Sequence, residues 1–308
     1  MKYIRKIRNS LIAFQNEKAL GRKFLISVPY LWLIIFFLVP LFIILQISVS
    51  ESILAVPPYK NIWEWTSHQT LKLHLHFENY KILFQDSLYQ YAFGQSLKLA
   101  ASSTILCLCL GYPMAYTIAQ ADERKQTFLL FLVLLPFWTS FLLRIYAWIG
   151  LLSHDGLINT LLMSLGIISG PLSLMGSDLA VCLGMVYCYL PFMILPLYAN
   201  LSKFDGSLLE AAADLGCTPF KAFLKITLPL SKGGILAGCT LVFVPCMGEF
   251  VIPEILGNSD SYVLGKVIWT EFFNNRDWPM AASIAIVMVL GMVFPIIGVQ
   301  KVYERYRS

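Results

Sequence analysis

Long apolar runs alternate along this chain with short polar segments, and each run is long enough to cross a lipid bilayer. Residues 24–50 contain no charged side chain. A membrane helix needs about 20 apolar residues, so this run predicts a first span over 24–46, with bends at Pro29 and Pro40. It is too long for a signal-peptide core and lacks a small-residue cleavage pattern at its end. Five further runs, 93–119, 128–152, 178–200, 233–257 and 279–299, bring the count to six. Lys98 lies near one end of its run and can snorkel to the interface. Between the first two spans, residues 51–92 are polar and aromatic, with Pro57-Pro58 as a breaker. Leu71 to Phe77 alternates as a strand does. The pattern predicts an all-α integral membrane protein with six transmembrane helices, and no inverted hydropathy repeat is visible. It divides into a basic segment 1–23, a first span with its outer loop 24–90, a main domain 91–300 and a tail 301–308.

Composition agrees with lipid as the solvent. Of the 308 residues, 57% are hydrophobic and 13% charged, against about 25% charged in soluble domains. The net charge of +5 is a matter of topology. With the N-terminus in the cytoplasm, the inside segments hold Lys2, Arg5, Lys6, Arg8, Lys18, Arg22, Lys23, Arg124, Lys125, Lys203, Lys221, Lys225, Lys232, Lys301, Arg305 and Arg307. The outside loops hold Lys60, Lys72, Lys81, Lys266 and Arg276. That asymmetry follows the positive-inside rule and puts both termini in the cytoplasm. Ile4, Ile7, Leu11 and Phe14 recur at helical spacing, which fits a surface helix or a basic tail equally. No basic stretch with interleaved aromatics lies in a soluble segment, so nucleic-acid binding is not expected. The seven cysteines form no secreted framework and no metal spacing, and read as packed free thiols. His74-x-His76 has no supporting ligand cluster, so no metal site is expected.

The segment 201–232 has its own grammar. Ser207-Leu208-Leu209-Glu210 fits a capping box, and an Ala-rich helical stretch follows it. Gly216 supplies a left-handed stop. Thr218-Pro219 restarts a helix, and Leu228-Pro229 marks a bend before the next span. Two short helices at an angle result. They suit a plain connector or a docking knob for a cytoplasmic partner, with Ala211, Ala212 and Gly216 permitting close approach.

Glu210-Ala211-Ala212, then Gly216, then Ile226-x-Leu228-Pro229 resembles the EAA signature of ABC importer permeases at every position. Residues 91–299 resemble the type I ABC importer transmembrane domain. Stretches 136–140, 144–148, 248–254 and 271–279 resemble the polyamine branch of that family, most of all its putrescine permeases. The resemblance implies a permease subunit in a bacterial inner membrane whose loop 201–232 couples to a cytoplasmic ATPase through Glu210, Ala211, Ala212 and Gly216. It also implies a second permease of similar fold, two ATPase subunits and an external substrate-binding protein. ATP and Mg would be bound by the ATPase subunits. This chain has no phosphate-binding loop, so it is expected to carry no cofactor and to be no enzyme.

A polyamine loses the hydration of its ammonium groups only where carboxylates or aromatic faces replace it. Glu249 is the prime candidate for such a path, since an ionisable residue inside a span points to function. A straight helix from Lys232 would place it ~25 Å up the membrane. The other reading of Glu249 is a hydrogen-bonded link between helices. Glu254, Glu271 and Asp277 lie at or beyond the outer ends of spans and could attract a cation, or could be solvated loop charges. Trp138, Tyr187 and Tyr189 could supply aromatic faces, or be packing and belt residues. Arg144 reads as an interfacial anchor or a partner for an acid. The competing functions are a spermidine or other small-cation ABC permease, an ion-gradient secondary transporter and an intramembrane enzyme. The last lacks a membrane-embedded His cluster or nucleophile–base pair.

Overall fold

The computed structural model describes residues 25–65, 71–258 and 261–307. The basic segment 1–23 and His68 lie outside them. The chain forms two compact units, Met1–Tyr80 with Asp277–Ile286, and Lys81–Arg276 with Val287–Ser308. Among the described residues, five helices are long and apolar enough to cross a membrane, and a bent pair raises the number to six.

In the first unit, helix α1 (Leu25–Ser48) carries a π turn at Ile34–Leu38, immediately before Pro40. Its last carbonyls would lack partners. Asn79 Nδ2 donates to the carbonyls of Ser48 (3.5 Å) and Ser50 (3.2 Å), and Ser283 Oγ donates to that of Ser48 (2.9 Å). Only the first three residues of the alternating segment 71–77 form a strand: β2 (Leu71–Leu73) pairs antiparallel with β1 (Trp63–Trp65). Helix α2 (Glu78–Gln85) begins in this unit.

The second unit is built on three mutually packed helices, α3 (Ser87–Gln120), α7 (Asp178–Leu201) and α10 (Lys232–Met247). Lipid offers no hydrophobic drive for helices to pair, so close van der Waals packing across small residues must hold them. Gly238 of α10 shows this. A Cβ there would lie 2.7 Å from Met193 Sδ and 3.2 Å from the Met193 carbonyl oxygen on α7. Lys98 of α3 pairs with Asp178 at 2.8 Å, and Gln95 donates to the same carboxylate.

Two expected spans differ. Residues 128–152 are two helices, α4 (Glu123–Leu134) and α5 (Phe141–Leu152), separated by a tight turn at Leu135–Trp138. Pro136 cannot donate to the helical ladder, and Thr139 closes the turn by donating through its amide (3.2 Å) and Oγ1 (2.7 Å) to the Pro136 carbonyl. Helix α6 (Leu157–Ser164) continues the path. The run 233–257 also breaks: α10 ends at Met247, and a short helix α11 (Val251–Leu256) follows. Helix α8 (Ser207–Asp214) and the segment α9 (Pro219–Leu230) lead into α10, with a 65° bend between α9 and α10. The bend falls at Ser231, just past Leu228-Pro229 and the π turn at Phe223–Thr227. Helix α12 (Leu264–Trp269) packs on α3, and α13 (Trp278–Arg307) ends the described chain.

Candidate functional site

The segment between α7 and α10 is a well-formed helix pair, but its cap is not the expected one. Gly206 occupies the capping position of α8, and no Ser207 side-chain cap forms. Asp205 does the work: its Oδ1 accepts from the Ser207 amide at 3.0 Å. This corrects the Ser207–Glu210 capping box. A carboxylate placed one residue before Gly206 reaches the free amides first, and the Glu210 amide is taken by the Gly206 carbonyl (3.2 Å). The Asp205 carboxyl is held below its ordinary value near 3.8, by the Ser207 amide and then by the Ser207 side chain.

The stop at Gly216 has the expected form. Its φ is +74°. The Gly216 amide donates to the Ala213 carbonyl (2.8 Å) and the Cys217 amide to the Ala212 carbonyl (2.9 Å), which together close the helix end. Pro219 opens α9 at its first turn, but Thr218 makes no side-chain cap. Ala212 turns inward and is buried, while Glu210, Ala211 and Gly216 are exposed. Beside them stand four exposed apolar side chains, Leu208, Leu215, Phe220 and Leu224, with Leu215 88% exposed. Behind α8, a cavity of about 260 Å³ lies against Tyr116, Leu201, Leu209 and Ile226. Two aromatic contacts and one hydrogen bond tie the segment to the core: Phe223 meets Tyr112 and Tyr116 edge-on at 5.6 and 6.1 Å, and the Tyr112 and Ser231 hydroxyls lie 2.8 Å apart.

Glu249 sits in the break between α10 and α11, 9% exposed. Its Oε1 accepts from the amides of Phe250 (3.2 Å), Val251 (2.9 Å) and Ile252 (3.4 Å). Pro253, the next residue, has no amide to satisfy. Tyr189 of α7 donates its hydroxyl to Oε2. The carboxylate therefore starts one helix and links it to another. A straight helix from Lys232 past Glu249 is corrected, because the chain leaves helical geometry at Gly248. Gly265 seats against this turn. A Cβ there would lie 2.7 Å from the Gly248 carbonyl oxygen and 2.8 Å from that of Glu249.

The other acids are also engaged. Glu254 pairs with Lys266 at 3.0 Å. Glu271 accepts from Tyr89 Oη (3.1 Å) and Asn275 Nδ2 (2.9 Å). Asp277 accepts from the Met280 amide at 3.0 Å, at the start of α13. Tyr187 stands edge-on to Trp148 at 5.7 Å, and Trp138 is 77% exposed and edge-on to Phe131 at 5.4 Å. Thus Glu249 and Tyr189 come together directly, while Trp138 and Tyr187 make separate aromatic contacts. Arg144 is not an exposed interfacial anchor. Its side chain is buried on α5, because the turn at Leu135–Trp138 folds Phe137 onto it, and it pairs with no acid among the described residues.

Sequence reasoning missed the partners Tyr89, Lys266 and Asn275, and an aromatic ladder. In that ladder Phe250 stacks on Trp269 at 4.7 Å and Trp269 meets Phe273 at 4.2 Å. A signal for the helix start at Val251 was present in Pro253, a first-turn residue shortly after Gly248. Glutamate is not among the favoured capping residues, which concealed its role. Among the described residues, no group of three His, Cys, Asp or Glu side chains could hold a metal ion.

Apolar membrane-length helices, a core packed across glycines and an exposed helix pair at one break define a multi-pass membrane protein. The family described as binding-protein-dependent transport system inner membrane component matches residues 23–300, and the chain belongs to it. It is therefore a permease subunit of the ABC importer class, and not an enzyme. The Haemophilus influenzae spermidine/putrescine transport system permease protein PotB is 38% identical over 269 residues, covering 86% of this chain and 88% of the relative. The Escherichia coli K12 protein of the same name is 41% identical over 225 residues, covering 72% and 82%. The E. coli inner membrane ABC transporter permease protein YdcU is 33% identical, covering 69% and 71%. A bacterial alginate ABC transporter, solved in complex with an alginate pentasaccharide-bound periplasmic protein, shares the fold with a TM-score of 0.67 at 16% identity. The alignment covers 94% of this chain and 97% of that one.

Proposed function

We propose that this chain is the permease subunit of an ATP-driven polyamine importer, coupled to its ATPase through α8. The observation that carries the coupling is the exposed, doubly capped helix α8 with Glu210, Ala211 and the apolar side chains Leu208 and Leu215 on its surface. A soluble helix pair with no partner would bury such residues rather than display them. The helix is held by its own ends, and a cavity of about 260 Å³ lies beside it. Under this proposal both termini and the segment 201–232 are cytoplasmic, as the basic residues there suggest. A second permease, two ATPase subunits and an external binding protein complete the assembly. ATP binding closes the ATPase pair, moves α8 and opens the spans outward to the loaded binding protein, and hydrolysis resets them.

The substrate class follows from the polyamine permease names of the relatives and from the stretches 248–254 and 271–279. Putrescine is the expected substrate. Spermidine is the second reading, favoured by relatives whose names carry both. Glu249 with Tyr189, then Glu254, Glu271 and Asp277, with Trp138 and Tyr187, are the proposed path residues. A cation reaching Glu249 would meet a carboxylate already fixed in place, so no ordering is needed when it binds.

The test is uptake of radiolabelled putrescine, with unlabelled spermidine as competitor, in cells that have no other polyamine importer. Glu210→Arg is expected to abolish uptake at normal membrane levels, because it reverses the charge on the docking face. Normal transport by that variant would remove the coupling role and favour an ion-gradient carrier. No polyamine uptake at all would leave the ABC fold and remove the substrate.

A further inference from the structure

Arg144 is 8% exposed, and its Nε and Nη1 have no hydrogen-bond partner. The guanidinium lies over the Phe137 ring at 5.0 Å and near the Phe141 ring at 5.7 Å. Ring faces attract a cation, but they leave its in-plane N–H donors free. Arginine keeps its charge at any physiological pH. Burial of a charge with idle donors is rare, because low-dielectric surroundings penalise it heavily. Such donors call for an acceptor, and a carboxylate is the acceptor that also balances the charge.

The fold narrows the choice. Helix α5, which carries Arg144, packs against both α7 and α11, and α11 packs against α7. Glu249 caps α11, and the Tyr189 hydroxyl of α7 donates to it. Glu254 is engaged by Lys266, and Glu271 by Tyr89 and Asn275. Asp178, at the start of α7, is engaged by Lys98 and Gln95, which leaves Glu249 as the acid beside the same three helices as the idle guanidinium.

We propose that Arg144 is the second seat of the Glu249 carboxylate, which caps α11 in the arrangement seen here and moves to the guanidinium when α11 shifts against α5. Both seats use charge-assisted hydrogen bonds, so the carboxylate exchanges one set for another without being left bare. A substrate ammonium drawn to Glu249 competes with Arg144 for it. Arg144 is then a positioning residue that reclaims the carboxylate once the cation has gone. The inference rests on the alternating-access reading and on Glu249 lying in the path.

The complete transporter, reconstituted in lipid nanodiscs with its binding protein and ATPase, supplies the test. Thermal midpoints and polyamine uptake are measured for Arg144→Met, Arg144→Lys, Glu249→Gln and the double variant Arg144→Met with Glu249→Gln. Each neutral single variant leaves one buried group without its alternative partner, and the double variant removes both. The expected result, with the transporter trapped by a non-hydrolysable ATP analogue in the arrangement where α11 has shifted, is a lowered midpoint in each single variant and recovery of most of the loss in the double; in the arrangement seen here, where the Arg144 donors are idle, Arg144→Met should not lower it. Uptake should fall about tenfold or more in Arg144→Met and less in Arg144→Lys. Midpoint losses that simply add would overturn the pairing and assign the counter-ion of Arg144 to another chain or a lipid. If Arg144→Met fails to accumulate, restored accumulation in the double variant supports the pair and continued absence refutes it. Wild-type uptake by Glu249→Gln alone would remove that residue from the substrate path. The pair is still decided in that case, since it is read from the midpoints.

Discussion

At the start of α11, free amides need acceptors in surroundings where water is scarce. One oxygen of Glu249 serves three of them, and Pro253 lowers the need by one. Glu249→Ala strips this cap and is expected to cost about 2 kcal/mol or more, read as a drop in thermal midpoint of the purified transporter. Glu249→Gln keeps one acceptor oxygen and should lose less. Gly265 belongs to the same site. In Gly265→Ala the added methyl meets two backbone oxygens within 2.8 Å, and backbone has little freedom to yield. That variant should lose uptake and midpoint together, whereas Gly298→Ala, with nothing within 4 Å of the added atom, should change neither. That Glu249 matters was legible in the chain, because an acid interrupting an apolar run is conspicuous. Its partners were not, because Tyr189 is 60 residues away and Tyr89 is 182 residues from Glu271.

Helix α8 shows what local chemistry determines and where it misleads. Gly216 was readable as a left-handed stop, and its φ of +74° agrees. Gly216→Ala is expected to cost about 1–2 kcal/mol, with faster amide exchange over α8 as the check. Ser207 and Glu210 matched a capping box, yet the cap belongs to Asp205, two residues earlier. Several polar residues compete for the same free amides, and the turn geometry before the helix selects the winner. The Asp205 carboxyl titrates below its ordinary value, so its contribution is fully present above about pH 4. It is lost as the pH falls through the depressed folded value. Hydrogen exchange at the α8 start should therefore be faster in Asp205→Ala at neutral pH, and the two proteins should converge in acid. Elsewhere, the run 128–152 hid a break at Pro136, since apolar residues carry the same hydropathy in a helix or in a tight turn.

At the scale of the whole chain, the proposed coupling through the segment 201–232 needs a joint between that segment and the membrane-length helices. Ser231 stands at the 65° bend and its hydroxyl lies 2.8 Å from that of Tyr112 on α3. Tyr112→Phe removes a buried hydrogen bond worth about 1 kcal/mol. It should lower polyamine uptake per ATP hydrolysed while leaving ATP hydrolysis measurable; unchanged coupling would show that the joint transmits nothing. The sequence by itself determined that the chain crosses a membrane several times, where the helix pair between α7 and α10 begins and ends, and which family it belongs to. These follow from hydropathy, proline and glycine, whose effects act over a few residues. Only the tertiary structure decided that Glu249 caps a helix, that Glu254, Glu271 and Asp277 have partners, that Arg144 is buried with idle donors and that Tyr112 reaches Ser231. Such facts depend on which helix faces meet, and packing across small residues brings together side chains that the sequence places far apart.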